Sequence, residues 1–228
     1  MKIIDKNTGK RLKDVDPLQR DGVKDLTGIE NSPMDPPEAY EAGVDGSVIE
    51  EFPEALKLFL NQFEEINANL DRLEEGFNDF VKEGYQFTEG FNEILKDFFH
   101  FYDESLLALL QLEQKTLFPI LHELLIKSGE HSSSDKPKTA VDIMEDDYVK
   151  IIQLGTLVFN FLGLSSRIRD EQSRTFILET TGGNARELIE LIRLTFFRKQ
   201  NVLYPLAVKL VPSDQMEELR EKITASLP

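Results

Sequence analysis

The sequence contains no cysteine and no tryptophan, and only three of its 228 residues are histidine. The missing cysteines exclude disulfides, thiolate zinc sites, iron–sulfur clusters and cysteine nucleophiles. Three histidines leave little for a histidine-rich metal site. The 42 acidic residues outnumber the 26 basic ones, which gives a formal charge of −16. No nucleic-acid partner is expected, because most of such a surface would repel a polyanion.

The chain also lacks a long apolar segment. Its opening residues, MKIIDKNTGKRL, contain no apolar run of the kind that a signal peptide requires. We predict that no stretch reaches the roughly 18 apolar residues needed to cross a membrane. The sequence is therefore expected to be that of a cytoplasmic protein with no membrane partner.

Catalytic and cofactor-binding motifs are missing as well. There is no Gly-x-Ser-x-Gly elbow, no Walker loop and no Gly-x-Gly-x-x-Gly. The glycines within residues 181–184 follow no predicted strand and have no lysine beside them. We interpret them as a helix stop followed by a cap, not as an anion site. These features predict a protein that is not an enzyme.

What the sequence does contain is helical periodicity over most of its length. Residues 1–46 hold four of the ten prolines and no sustained period, which predicts an irregular N-terminal arm. Ser47 and Glu50 fit a capping box that would begin a helical domain covering residues 47–228. Apolar residues then recur at steps of three and four, along one face of a long first helix, at Phe63, Ile66, Leu70, Leu73, Phe77 and Phe80.

The same pattern predicts three further long helices. In order, the remaining elements are a reversal between Gly84 and Gly90, a second helix over residues 91–125, a Ser-rich loop over 128–138, a third helix over 139–178, a stop at 180–184, a fourth helix over 184–203 and a short helix over 213–224. The predicted fold is all-α, an up-down four-helix bundle with an irregular N-terminal arm and a short C-terminal helix.

Acidic residues are concentrated early in the helical domain. Residues 50–104 contain 15 acidic and 4 basic side chains, whereas residues 165–228 contain 9 and 10. The excess over the first range is therefore 15 − 4 = 11 negative charges. It indicates either a well-solvated outer face or an acidic docking surface for a basic partner.

One short motif occurs twice. Residues 117–121 read LFPIL in the second predicted helix, and residues 203–207 read LYPLA in the fourth. A proline inside a helix removes one hydrogen bond and costs about 3 kcal/mol, so two at matching points are informative. The simplest interpretation is that both prolines bend their helices around a shared core.

These motifs resemble the hemerythrin-like family of four-helix bundles, in which histidines and carboxylates hold a di-iron centre. In that family two helices carry His-x-x-x-Glu just before a Leu-Phe-Pro or Leu-Tyr-Pro turn, and the first and third helices each add a histidine. The stretches 105–125 and 188–210 are similar to this layout. Residues 144–148, MEDDY, resemble the Met-x-x-Glu-His pattern of the third helix.

The resemblance implies a set of ligand positions that this chain fills with other residues. Counted from the two proline motifs, the third-helix pattern and the first stripe, these vestigial metal-site positions fall on Phe63, Leu109, Glu113, Tyr148, Thr195 and Lys199. Only Glu113 keeps the residue type of a ligand. We therefore expect core residues at these positions, with no metal and no other cofactor.

The replacements predict an ion pair where the metal would have been. Two facing carboxylates need a cation between them, but Glu113 and Lys199 can neutralise one another directly. We expect a partly buried pair, and the alternative is that Lys199 extends its amine to solvent.

The three histidines do not restore the site. His100 and Glu104 form a His-x-x-x-Glu pair, but His100 is nine residues before Leu109, and nine helical steps place it on the opposite face of the helix. His122 is also turned away from Leu109, and His131 lies in the Ser-rich loop.

Two functions are compatible with this combination of motifs and substitutions. The first is a hemerythrin-like bundle that has lost its di-iron site and acts as a non-enzymatic binding or structural module, for an unknown protein or a small apolar ligand. The alternative is a cation-binding, di-iron protein of the hemerythrin type that senses oxygen or redox state or handles iron, through ligands that the sequence does not reveal.

Overall fold

The structure is a computed structural model that describes residues 52–132 and 136–226, and these residues are helical with no strand among them. The helices are α1 (Glu54–Leu60), α2 (Phe63–Lys82), α3 (Glu89–Phe101), α4 (Leu107–Ser128), α5 (Ala140–Ser165), α6 (Glu171–Arg198), α7 (Tyr204–Leu210) and α8 (Ser213–Ser226). Two π-helical segments join neighbouring helices, π1 (Tyr102–Leu106) before α4 and π2 (Lys199–Leu203) before α7. The all-α prediction is confirmed for this part of the chain.

Several helix ends lie where the sequence indicated them. The predicted stripe is the buried face of α2, and the reversal after it includes Gly84 at φ +69°. Thr139 begins α5 through a capping box, in which the Asp142 carboxylate accepts from the Thr139 backbone N–H at 2.7 Å. The predicted arm over 1–46 and the capping box at Ser47 lie outside the described residues.

The predicted boundary between the third and fourth helices is wrong. Helix α5 ends at Ser165, and α6 begins at Glu171, where the Asp170 carboxylate accepts from the Ser173 N–H at 2.8 Å. Residues 180–184 lie inside α6 instead of stopping a helix. Thr181 and Ala185 are buried there, so tertiary packing outweighs the low helix propensity of the two glycines.

The helices pack around one hydrophobic core. Helix α5 makes its most extensive contacts with α6, while α2 packs on α3 and α6 and α4 packs on α5. Helix α8 lies against α1 and α4, and α7 also contacts α4. Every one of these helices contributes buried apolar side chains to a single cluster. The charged motifs on α4, α5 and α6 are thereby brought toward the same interior.

The two proline motifs are accommodated differently. Pro119 lies inside the regular helix α4, whereas Pro205 lies in the first turn of α7, directly after π2. Leu203, the last residue of π2, has right-handed helical backbone angles and π2 continues directly into α7, so Pro205 removes a hydrogen-bond donor inside one continuous helical run. The two proline motifs are therefore similar in sequence but differ in local backbone geometry.

One described helix, α5, is long and apolar enough by length and composition to cross a membrane, which was not expected from the sequence. Core helices of water-soluble proteins meet the same criterion. The inner face of α5 carries Asp147 and Tyr148, both buried against neighbouring helices, as is typical of a core helix.

Candidate functional site

The predicted partners Glu113 and Lys199 meet in the protein interior. Glu113 projects from α4 and Lys199 from the start of π2, and both side chains are completely buried. The Lys199 ammonium donates to the Glu113 Oε2 atom. The predicted ion pair is present, is more deeply buried than expected, and excludes the alternative in which the lysine extends to solvent.

Two tyrosines complete the coordination of the Glu113 carboxylate. The Tyr148 hydroxyl donates to Oε2 at 2.5 Å, and the Tyr204 hydroxyl donates to Oε1 at 2.5 Å. Tyr148 comes from α5 and Tyr204 from α7, so three helices and π2 supply this one network. Both oxygens accept hydrogen bonds, which is how a buried carboxylate compensates for lost hydration. Burial, followed by the negative charge of Glu113, raises the pKa of both tyrosines well above its ordinary value.

Aromatic rings enclose the amine of Lys199. Its Nζ atom lies 4.9 Å from the ring centroid of Tyr148 and 4.4 Å from that of Phe196, both within cation–π range. Burial lowers the pKa of Lys199 because it removes water from the charged form, and the nearby Glu113 and Asp147 charges oppose this effect.

A second ion pair lies beside the first. The Arg198 guanidinium donates from Nη1 to the Asp147 carboxylate, and both side chains are completely buried. The Thr195 hydroxyl donates to the Leu191 backbone oxygen at 2.8 Å and lies 3.4 Å from Asp147 Oδ2. The seven side chains involved are called the buried polar cluster, and they are Glu113, Asp147, Tyr148, Thr195, Arg198, Lys199 and Tyr204.

The two remaining predicted positions are apolar and buried. Phe63 packs edge-on against Phe196 with ring centroids 4.3 Å apart, and its ring lies 6.4 Å from that of Tyr204. It therefore forms part of the wall around the buried polar cluster. Leu109 lies one helical turn before Glu113 on α4 and belongs to the hydrophobic core.

Three members of this cluster were not predicted from the sequence. Asp147 and Arg198 are the immediate neighbours of Tyr148 and Lys199, and Tyr204 is the aromatic residue of the second proline motif. Helical periodicity could have identified Asp147. It falls three residues after the buried Met144 and four before the buried Ile151, so it lies on the buried face of α5. A charged residue at an apolar phase of a helix indicates a buried, paired charge.

This set of side chains does not fit a di-iron centre. Such a site needs several imidazole and carboxylate ligands converging on one point, whereas Glu113 is surrounded by two hydroxyl groups and an ammonium. His100 and His131 are exposed, and the His122 ring lies 3.0 Å from the Thr139 hydroxyl at the start of α5. Among the described residues, no group of three or more histidine, aspartate or glutamate side chains is placed to hold a metal ion.

Comparisons of the chain with protein-family models, with curated proteins and with solved structures found no match. A function can therefore be inferred only from the chemistry of the chain itself, above all from the buried polar cluster.

Proposed function

We propose that this chain is a metal-independent, non-enzymatic interaction module with an up-down four-helix bundle of the hemerythrin-like type. In this proposal the first bundle helix is α2, the second is α3 together with α4, the third is α5, and the fourth is α6 together with α7. The observation that carries the proposal is the buried pair of Glu113 and Lys199, which occupies two positions where the family resemblance implies metal-bridging carboxylates.

The balanced charges of the buried polar cluster support the proposal that this cluster replaces the metal. Two acidic and two basic side chains balance one another, so the interior carries no net charge that would require a cation. In a di-iron protein the metal joins helices by coordination, and here hydrogen bonds from π2, α5 and α7 converge on one α4 carboxylate. The cluster can therefore join these helices without metal chemistry.

The site also favours a surface function over an internal apolar ligand. The region around Glu113 is filled by the rings of Tyr148, Phe196 and Tyr204 and by the stem of Lys199. A small apolar molecule needs an apolar cavity, whereas an ammonium and two hydroxyl groups surround Glu113. We infer that the partner is a protein bound at the outer surface.

The first test is the metal content and chelator response of the full chain expressed with supplementary iron. We expect metal-free protein whose thermal unfolding midpoint does not change when a strong chelator is added. Near-stoichiometric iron with a charge-transfer absorption band would contradict the proposal. That result would favour the cation-binding alternative.

A second test examines the hemerythrin-type placement itself. Restoring four of the five missing ligands that the resemblance implies, with Leu109→His, Tyr148→His, Thr195→His and Lys199→Glu, should create iron binding in a chain that otherwise has none. Lys199→Glu alone is the matched control and should bind no iron. Circular dichroism establishes that each variant is folded, and a folded variant with all four changes that binds no iron would contradict the family assignment.

A further inference from the structure

Exposed apolar side chains are concentrated on the outer surface of α5. Among the described residues, the exposed large apolar side chains are Val81, Phe87, Val149, Ile152, Leu157, Phe159, Leu164 and Phe176. Five of these eight belong to α5, and Phe176 belongs to α6, the helix that packs most closely on α5. Phe159 and Phe176 are 61% and 66% exposed.

The same part of α5 carries no charge. Residues 151–166 contain no acidic or basic side chain, although 30% of the whole chain is charged. At 1.5 Å per residue this stretch is about 24 Å long. Its inner side is buried in the core through Ile151, Val158 and Leu162, so its outer side is free of charge along its full length.

Helical phase defines the shape of this surface. Ile152, Thr156, Phe159 and Gly163 follow one another at steps of four and three and form one stripe. Leu157 and Leu164, seven residues apart, form a second stripe, with Gln153 and Asn160 between the two. We call these eight residues, together with Phe176, the α5 outer face.

We propose that the α5 outer face binds a second copy of this chain through a two-fold symmetric contact. This inference names the partner of the proposed interaction module and rests on that proposal. The five large apolar side chains of this face present roughly 500 Å² per chain, so two copies would bury about 1,000 Å², which is the lower limit for a specific interface.

The distribution of charge makes the α5 outer face the most favourable surface on which two copies of this chain can meet. Two chains of −16 repel one another, so they can associate only where acidic groups are scarce. Residues 50–104 carry most of the acidic excess and contain α2 and α3, whereas α6 has four acidic and four basic residues. The face borders this neutral helix and also contacts α3 through Phe159 and Phe99, and because the face itself carries no charge, two copies can meet on it with few acidic groups in the contact.

The shape of the α5 outer face is suited to self-association. A two-fold contact places the same surface on both sides, so each copy must offer both projections and recesses. Phe159 and Leu157 project, while Thr156 and Gly163 leave recesses beside them. Nothing lies within 4 Å of a Cβ atom built on Gly163, which leaves room for a side chain of the partner.

Sedimentation velocity of the full chain, in chelator, tests the proposal without involving the metal question. At about 10 μM we expect a mass of twice 26.1 kDa. Leu164→Glu should weaken association at least about 100-fold, because it places a buried charge on both sides of the contact. Val81→Glu on α2 is the matched control, since both side chains are 43% exposed, and it should stay dimeric.

Cysteine cross-linking gives an independent readout, because the chain has no cysteine of its own. Single cysteines at Gln153, Thr156 and Asn160 should include at least one that forms a covalent dimer under mild oxidation, since residues near a two-fold axis face their own copies. A cysteine in place of Glu75 on α2 should not.

Other occupants of the face give different results. A monomer whose Asn160→Cys thiol resists alkylation would show that the chain covers the face itself. Flotation of a monomer with phosphatidylcholine vesicles, lost in Leu164→Glu, would identify a lipid surface. A mass that is monomeric at about 100 μM, or equal weakening by Leu164→Glu and Val81→Glu, would also overturn the second copy as partner.

Discussion

At the scale of single residues, the interior of this protein depends on charges that neutralise one another. Glu113 accepts from Lys199, Tyr148 and Tyr204, and Asp147 accepts from Arg198. A buried ion pair need not add net stability, but removing one member leaves the other unpaired in a medium of low polarity. The consequences of single substitutions are therefore large and specific.

Replacement of Lys199 by methionine should lower the free energy of unfolding by about 3–5 kcal/mol, because the Glu113 charge loses its cation. Glu113→Gln combined with Lys199→Met should recover much of this loss, because no unpaired charge remains. Urea unfolding of the parent, of both variants and of Glu113→Gln alone measures the coupling. Lys82→Met, which removes an exposed pair with Asp79, is the control and should leave the midpoint unchanged. A loss below about 1 kcal/mol for Lys199→Met, as for a surface pair, would contradict burial of the charge.

Stability should fall steeply in alkaline solution because of three buried tyrosines. Burial raises the pKa of Tyr102, Tyr148 and Tyr204 above the ordinary value of 10.0, so above that pH the unfolded chain loses protons that the folded chain keeps. Each tyrosine then removes about 1.4 kcal/mol per pH unit. Lys199 acts in the opposite sense, because its pKa is lowered and its contribution to stability rises with pH up to 10.5. The three tyrosines outweigh the single lysine.

Tyrosinate absorbance and denaturant unfolding, measured across alkaline pH, test this expectation. Of the five tyrosines, three should titrate only as the protein unfolds. Tyr148→Phe should make the pH dependence of the unfolding free energy shallower by the contribution of one proton, about 1.4 kcal/mol per pH unit. Titration of all five near pH 10 in the folded protein would show that the hydroxyls are not buried.

At the scale of elements, close packing between helices places strict demands on one glycine. The Tyr102 hydroxyl, at the start of π1, donates to the Ile151 backbone oxygen of α5 at 2.9 Å. A Cβ atom on Gly155 would lie 2.4 Å from that hydroxyl oxygen. The tyrosine can therefore reach the α5 backbone only because position 155 has no side chain.

Gly155→Ala should destabilise the protein by about 1–3 kcal/mol, because Tyr102 must move and its buried hydroxyl loses its acceptor. Gly163→Ala on the same helix has free space around the new methyl group and should stabilise by about 0.5–1 kcal/mol. Thermal unfolding of the two variants at low protein concentration gives the comparison. Stabilisation by both substitutions would mean that Tyr102 does not pack over Gly155.

At the scale of the whole molecule, the formal charge of −16 opposes compactness. Self-repulsion between exposed acidic groups weakens when salt screens it, and the screening length is about 8 Å at physiological ionic strength. The internal ion pairs are far less affected, because they are completely buried.

The thermal unfolding midpoint should therefore rise between low salt and about 0.5 M sodium chloride. A variant with Glu64→Gln and Glu65→Gln, two exposed positions on α2, should show a smaller rise because it carries less excess charge. Differential scanning calorimetry of both proteins measures the effect. A midpoint that falls with salt would indicate that exposed ion pairs contribute more than repulsion.

Periodicity determined much of this protein without any structure. The stripe from Phe63 to Phe80 identified the buried face of α2, and the Thr139 cap identified the start of α5. Both are local properties, set by the 3.6-residue repeat and by backbone groups a few positions apart. The pairing of Glu113 with Lys199 was predicted through the family resemblance, which implies facing carboxylates at the same offset from each proline motif.

Only the tertiary structure decided the rest, because those features depend on residues far apart in the chain. Local propensity placed a helix stop at residues 180–184, but packing of Thr181 and Ala185 carries α6 through it. The Tyr204 hydroxyl reaches Glu113 across 91 residues of sequence, and Arg198 reaches Asp147 across 51. Sequence alone could count the acids and the three histidines. The fold determined which charges are buried together, and it left one face of α5 both apolar and exposed.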